Sequence, residues 1–218
     1  MKRIIIISEG QTEQSFCNDV LQPYFNDRGI FIQNPAIKKM GGGIVRWDAL
    51  KFQVETHLLQ DNTAFVTTLV DYYGMYANMD YPGWENAQKL VDKNQRMTFL
   101  EKAMQSDIRP DLQRRFMPYI QLHEFEGLLF SNIDVFDRSF ERGEFLNYRY
   151  LEETIDKHPN PEMINDSRDT APSKRLMKII KGYDKVVYGS LLAGEIGLNR
   201  IRAKCPRFNE WVARLECI

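Results

Sequence analysis

Apolar positions along this chain follow two periods. The runs RIIIIS (3–8), AFVTTLVD (64–71) and FMPYIQL (116–122) are short, rich in β-branched residues and bounded by turn formers. Such runs predict strands covered on both faces, as in a parallel sheet. A further strand fits Ile30–Ile37. Between the strands the period lengthens. Phe16, Val20 and Tyr24 recur every four residues beside Leu21 and Phe25, which predicts a helix. Pro23 should kink or split it, because proline lacks the backbone donor and crowds the preceding turn. Helices are also predicted over 47–60 and 85–104, and from HEFEGLLF directly after the fourth strand. The aromatic segment YYGMYANMDYPGW (72–84) reads as a loop. Beyond residue 132, short helices alternate with polar loops, and the last four should begin near Pro172, Asp184, Gly197 and Pro206. Strands alternating with helices predict an α/β core over 1–131 with a mostly parallel sheet flanked by helices. The helical C-terminal region, 132–218, should pack on that core as part of one compact unit.

Three predicted strands run into acids: Glu9, Asp71 and the pair Glu124/Glu126. Neighbouring strand ends in a parallel sheet lie about 4.8 Å apart, and open α/β folds bind ligands at that edge. Glu13 follows Glu9 by about one helical turn and should point to the same side. Taken alone, Glu9 and Glu13 also read as solvated acids at a helix start, where the dipole favours them. Several carboxylates in one cleft repel one another unless a cation sits among them. Oxygen donors in that number suit Mg²⁺ or Mn²⁺, and such a site polarises a phosphodiester and activates water.

Charge sharpens this picture. The whole chain is nearly neutral, at −1, but residues 168–207 hold ten basic residues against three acids. Lys174, Arg175, Arg200, Arg202, Lys204 and Arg207 are the candidates there for contact with a nucleic-acid backbone; a solvated helical face explains some of them equally well. Lys174 in TAPSKRL sits in a helix's first turn, against the dipole, and local rules tend to break at sites. It is the candidate for stabilising charge on a reacting phosphate. His123 and Tyr73 stand as auxiliary candidates. The glycines at 41–43 lack the lysine of a P-loop and read as a flexible turn. The tyrosines of 72–81 and Trp84 either stack on bases or cover the core. Three cysteines without metal spacing (Cys17, Cys205, Cys217) predict a reducing, cytoplasmic setting. No segment approaches the length of a membrane helix.

EGQTE after an apolar strand resembles the E-G-x-T-E motif of TOPRIM nucleases of the overcoming-lysogenization-defect type, and LVDYYG resembles their aspartate motif. The series VTTLVDYYG, YIQLHEFEGLLF, NPEMIND, TAPSKRL, YDKVVYGSLLAGEIGL and IRAKCPRFNEW is similar to a bacterial domain-of-unknown-function family. That family is related to TOPRIM and includes AriB, the effector nuclease of the PARIS anti-phage system. The resemblance spans nearly the whole chain. It implies a TOPRIM-like fold, with Glu9 and Glu13 as the two glutamates of the first motif and Asp71 as the first acid of D-x-D. Tyr73 stands where the second aspartate is expected, which puts a two-metal site in doubt unless Glu124 or Glu126 replaces it. The resemblance also marks HEFE and PSKRL as signatures, and implies an ATPase partner encoded nearby.

Three functions follow as expectations. The first is a Mg²⁺- or Mn²⁺-dependent nuclease acting on DNA or RNA in anti-phage defence. In it Glu9, Asp71 and Lys174 are catalytic, and Glu9, Glu13, Asp71, Glu124 and Glu126 supply metal ligands. The second is a non-catalytic effector or regulatory subunit of an ATPase-containing complex, which the Tyr73 departure favours. The third, a small-molecule phosphohydrolase or phosphotransferase using the same acids, leaves the basic segment without a role. Homodimers are common among such chains, and nothing in the sequence specifies one.

Overall fold

The computed structural model describes residues 2–37, 43–165, 167 and 169–218. Among the described residues the expected parallel sheet has five strands: β1 (Lys2–Ser8), β2 (Ile30–Gln33, shorter than the expected Ile30–Ile37), β3 (Phe65–Asp71), β4 (Phe116–Met117) and β5 (Ile120–Gln121). Their order is β2-β1-β3-β4, with β5 also on β3, and every pairing is parallel. β4 and β5 are two pieces of the predicted fourth strand. Val66 pairs with Phe116 and Val70 with Ile120, so the register continues across the break. Pro118 offers no ladder donor, and the hydroxyl of Thr68 fills the gap, accepting from Tyr119 N–H (3.0 Å) and donating to Tyr119 C=O (2.8 Å).

Among the described residues, eleven α-helices surround the sheet. The first predicted helix is α1 (Gln11–Phe16) and α2 (Gln22–Asn26), joined through a π-helical turn, Cys17–Leu21. Pro23 lies in the first turn of α2, where its missing N–H does least harm, and the wider turn before it takes up the change of pairing. α3 is Trp47–Gln60. The helix predicted over 85–104 is broken into α4 (Trp84–Gln88) and α5 (Lys93–Asp107), the second capped by Asp92, whose side chain accepts from Gln95 N–H. The segment after β5 is a 3₁₀ helix, Phe125–Ser131, rather than the expected α-helix. α6 (Ile133–Ser139), α7 (Tyr148–Lys157), α8 (Pro172–Ile179), α9 (Lys185–Ile196), α10 (Leu198–Lys204) and α11 (Pro206–Glu216) complete the chain. The last four begin at or one residue after the expected positions. None of the helices described is long and apolar enough to cross a membrane.

The isoleucines of β1 explain the layers. Successive side chains of a strand point to opposite faces. Ile4 and Ile6 join one core with Leu69, α1, α2 and the helices after residue 132, while Ile5 and Ile7 join another with Val66, Val70 and α3–α5. The C-terminal third is therefore one of the two helical layers, and α11 reaches the sheet itself: Trp211 Nε1 donates to Thr67 Oγ1 (2.9 Å) and its ring stacks on Tyr119.

Within that layer α9 crosses α1 closely. A Cβ at Gly189 would stand 2.5 Å from Thr12 Cγ2. Gly189→Ala is expected to destabilise the fold by about 1–3 kcal/mol, the usual cost of overpacking. Thr12→Ser in the same chain removes the clashing methyl and is expected to restore most of that loss in urea unfolding. A Gly189→Ala protein as stable as wild type would show that the crossing has room.

Candidate functional site

Parallel strands place their carboxyl ends on one edge, and the predicted acids gather there. Glu9 lies one residue beyond β1, its N–H still donating to Leu69 C=O (3.2 Å). Its Oε2 accepts from Asp71 N–H (3.1 Å), so the side chain bends over the end of β3, and Ile44 N–H supports it from the other side. Asp71 closes β3, and its Oδ1 accepts from Phe125 N–H (2.9 Å), joining the strand to the 3₁₀ segment. Glu13 accepts from Gly10 N–H (2.9 Å) as the capping-box residue of α1. Glu124 places both oxygens on Ser173, from N–H (2.9 Å) and Oγ (3.2 Å), holding the start of α8. Glu126 differs. It is fully buried, and neither oxygen has a hydrogen-bond donor from another residue.

The counter-charge is Lys185, at the first position of α9, with Nζ 3.6 Å from Glu126 Oε1. Gly189 and Thr12 fix this approach, since α9 is the helix they lock onto α1. The field at the site is strongly acidic. Burial pushes the Asp71 carboxyl well above the ordinary range, and Glu9, Glu13, Glu126 and Glu124 push it further. Burial raises Glu126 to about 7, with Lys185 opposing and Glu124 and Glu13 adding to the rise. Burial also raises Glu9 and Glu13, again against Lys185. Desolvation works against the Lys185 ammonium, yet Glu126, Glu13, Asp71 and Glu9 together hold it above the usual lysine range.

Beside the acids lies an open cleft of about 700 Å³, lined by Glu9, Glu13, Ile37, Gly43, Lys185 and Val186 among others. Gly43 N–H donates to Glu9 C=O (3.3 Å); Gly41 and Gly42, read as part of a flexible turn, lie outside the described residues. Among the described residues no three or more histidine, cysteine, aspartate or glutamate side chains are grouped so that they could hold a metal ion as they stand. The oxygens of Glu9, Glu13, Asp71 and Glu124 described above are instead held by backbone or serine donors. A shared cation would require these side chains to turn toward one another, although oxygen donors of this kind are what a hard divalent cation takes. A buried carboxylate is costly without a positive partner, and for Glu126 that partner is Lys185.

Other expectations are redistributed. Lys174 is exposed on α8, outside the ion pairs among the described residues; the cation that reaches the acids is Lys185. The signal was legible. Lys185 follows the cap Asp184 in a helix's first turn, the same departure from the dipole rule that singled out Lys174. His123 holds a left-handed backbone (φ 69°), its carbonyl accepts from Tyr73 N–H (2.9 Å), and its Nε2 lies 3.2 Å from Lys93 Nζ. The backbone of Tyr73 thus ties the β3 loop to the β5 loop.

Three proposed backbone-binding arginines are engaged in the fold. Arg175 donates to Thr170 C=O, Tyr150 and Thr154. Arg202 grips both oxygens of Glu216 (2.7 and 3.0 Å). Arg207 is buried on Glu101 (2.6 Å). For Arg202 and Arg207, a guanidinium removed from its carboxylate would leave an uncompensated charge; Arg175 is held instead by neutral oxygens. Arg200 and Lys204 stay exposed along a separate groove beside α10, and Arg168 lies outside the described residues.

The model of a family described as Domain of unknown function (DUF4276) matches residues 8–216. No curated protein matches the chain, and no solved structure matches it.

Proposed function

The chain belongs to the DUF4276 family, and from that premise we propose that it is a metal-dependent nuclease that hydrolyses phosphodiester bonds. One observation carries the reading. Glu126 is a fully buried carboxylate without a hydrogen-bond donor from another residue, set among Glu9, Glu13 and Asp71 and ion-paired only with Lys185. A structural role asks for a satisfied carboxylate, whereas a cation site asks for free oxygen.

Glu9, Asp71, Glu126 and Glu13 would hold Mg²⁺ or Mn²⁺, which when bound polarises the phosphate and lowers the pKa of water. Glu124, with both oxygens on Ser173, positions α8 and the segment before Glu126. Lys185 faces the cleft and neutralises charge building on the phosphate oxygens, the role first given to Lys174. Phe125 N–H and Ile44 N–H fix the orientation of one oxygen each of Asp71 and Glu9. The resemblance to the TOPRIM-related effectors supports a cytoplasmic defence role beside an ATPase, with nucleic acid as substrate.

The test is purified protein with Mn²⁺ against transfer RNA, single-stranded RNA, plasmid and single-stranded DNA, alone and with the neighbouring ATPase. Cleavage that a chelator abolishes is the expected result. The second reading, a non-catalytic subunit, draws on Tyr73 at the second D-x-D position. It takes over if no substrate is cut with metal and partner present while the ATPase still binds the chain.

A further inference from the structure

The loop after Asp71 carries aromatic rings that the two cores do not fully absorb. Tyr72 and Trp84 lie with ring centroids 5.8 Å apart, and the Tyr72 hydroxyl is held by Gln88 Nε2 (3.0 Å) and Arg96 Nη1 (3.3 Å). Tyr73 is half-buried, and Tyr76 is 57% exposed. The loop is fastened beside the acids. Tyr73 N–H is bonded to His123 C=O, and a Cβ at Gly74 would lie 3.7 Å from Glu9 Oε1 and 3.0 Å from Ile44 Cγ2. Tyr81 Oη donates to Val45 C=O (3.1 Å), and Arg46 bonds Asp80, so 44–46 brace the far side.

Charge indicates what this surface receives. Residues 72–96 hold three acids and three bases, with Asp80 paired to Arg46 and Asp92 capping α5. A nearly neutral surface has little to offer a duplex, which presents phosphates and keeps its bases stacked inside. It has ring faces to offer unstacked bases. Resting on the nuclease reading, we propose that Tyr76, Tyr73 and the Tyr72–Trp84 pair form a base-stacking platform. The substrate class is then single-stranded nucleic acid, delivered to Glu9 and Asp71 along the 72–84 loop rather than along the basic C-terminal segment.

Binding is measured without metal, by anisotropy, for a labelled single strand, its duplex and an abasic strand of the same length. The single strand is expected to bind about tenfold tighter than either of the others, with weak salt dependence. Tyr76→Ala, at an exposed position, is expected to lose roughly tenfold on the single strand and nothing on the abasic one. Equal binding of duplex and single strand, or unchanged single-strand affinity in both Tyr76→Ala and Tyr73→Ala, overturns the platform. Manganese-dependent hydrolysis of bis(p-nitrophenyl) phosphate, which needs no nucleobase, reports on the acids separately. If that hydrolysis persists while Tyr76→Ala binds normally, only the platform falls. If neither this ester nor any nucleic acid is hydrolysed, the nuclease reading itself is lost.

Discussion

The Glu126→Gln variant is expected to lose the rise in Tm that Mg²⁺ or Mn²⁺ gives the wild-type protein, and to hydrolyse its substrate roughly a hundredfold more slowly or worse. A ligand that binds only the folded state stabilises it in proportion to occupancy. Glu126 is the acid best placed to convert occupancy into stability, because apart from its pairing with Lys185 its oxygens have no donor from another residue to give up. Wild type should show a matching pH signature in chelator. Burial raises the Glu126 carboxyl to about 7 in the folded state, above its value in an unfolded chain. The folded state therefore binds more protons through that window, so stability attributable to this group rises as pH falls through about 7 and is lost as pH rises. A bound cation should flatten the dependence. Scanning calorimetry with and without Mn²⁺ checks both statements. Identical cation-dependent shifts in wild type and Glu126→Gln would remove Glu126 from any metal site.

Lys185→Met is the second large effect. The methionine keeps most of the side chain's bulk, so α9 should stay seated on α1 through Gly189 and Thr12. What disappears is the positive charge 3.6 Å from Glu126. Metal-free protein should become less stable, since Glu9, Glu13, Asp71 and Glu126 then repel with nothing between them. Cation affinity should increase for the same reason. Hydrolysis should nevertheless fall, by about a hundredfold, because a group aimed at developing phosphate charge acts mainly in the transition state. Lys185→Arg, which keeps the charge on a different head group, should recover part of the rate. Tighter cation binding together with slower turnover separates this role from a structural one. If both Lys185→Met and Lys185→Arg turned over at the wild-type rate, Lys185 would be no more than a balancing charge.

The distribution of the basic residues changes where substrate is sought. Read along the chain, 168–207 is a positive segment. In the fold, Arg175, Arg202 and Arg207 are fastened to Tyr150, Glu216 and Glu101, and Lys185 faces acids. Local net charge is a property of the list of residues, while an electrostatic surface depends on which charges already have partners.

Much of the architecture follows from order and period alone. Four isoleucines in a row, with alternate faces buried, require covering layers on both sides of β1, and parallel strands then place Glu9, Asp71 and the residues around Glu124 on one edge. Pro172, Asp184, Gly197 and Pro206 mark helix starts because a missing donor, a carboxylate cap or a glycine acts within a turn of itself. Such effects are local and are written in neighbouring residues. The sequence could not distinguish Glu124 from Glu126, or Lys174 from Lys185. Glu124 is satisfied by Ser173 while Glu126 has only Lys185 opposite it, and Lys185 meets the acids because Gly189 lets α9 close on α1. Those choices depend on contacts between residues far apart in the chain, and burial sets the energy of each. Which acids, bases and rings share the site was decided by the tertiary structure.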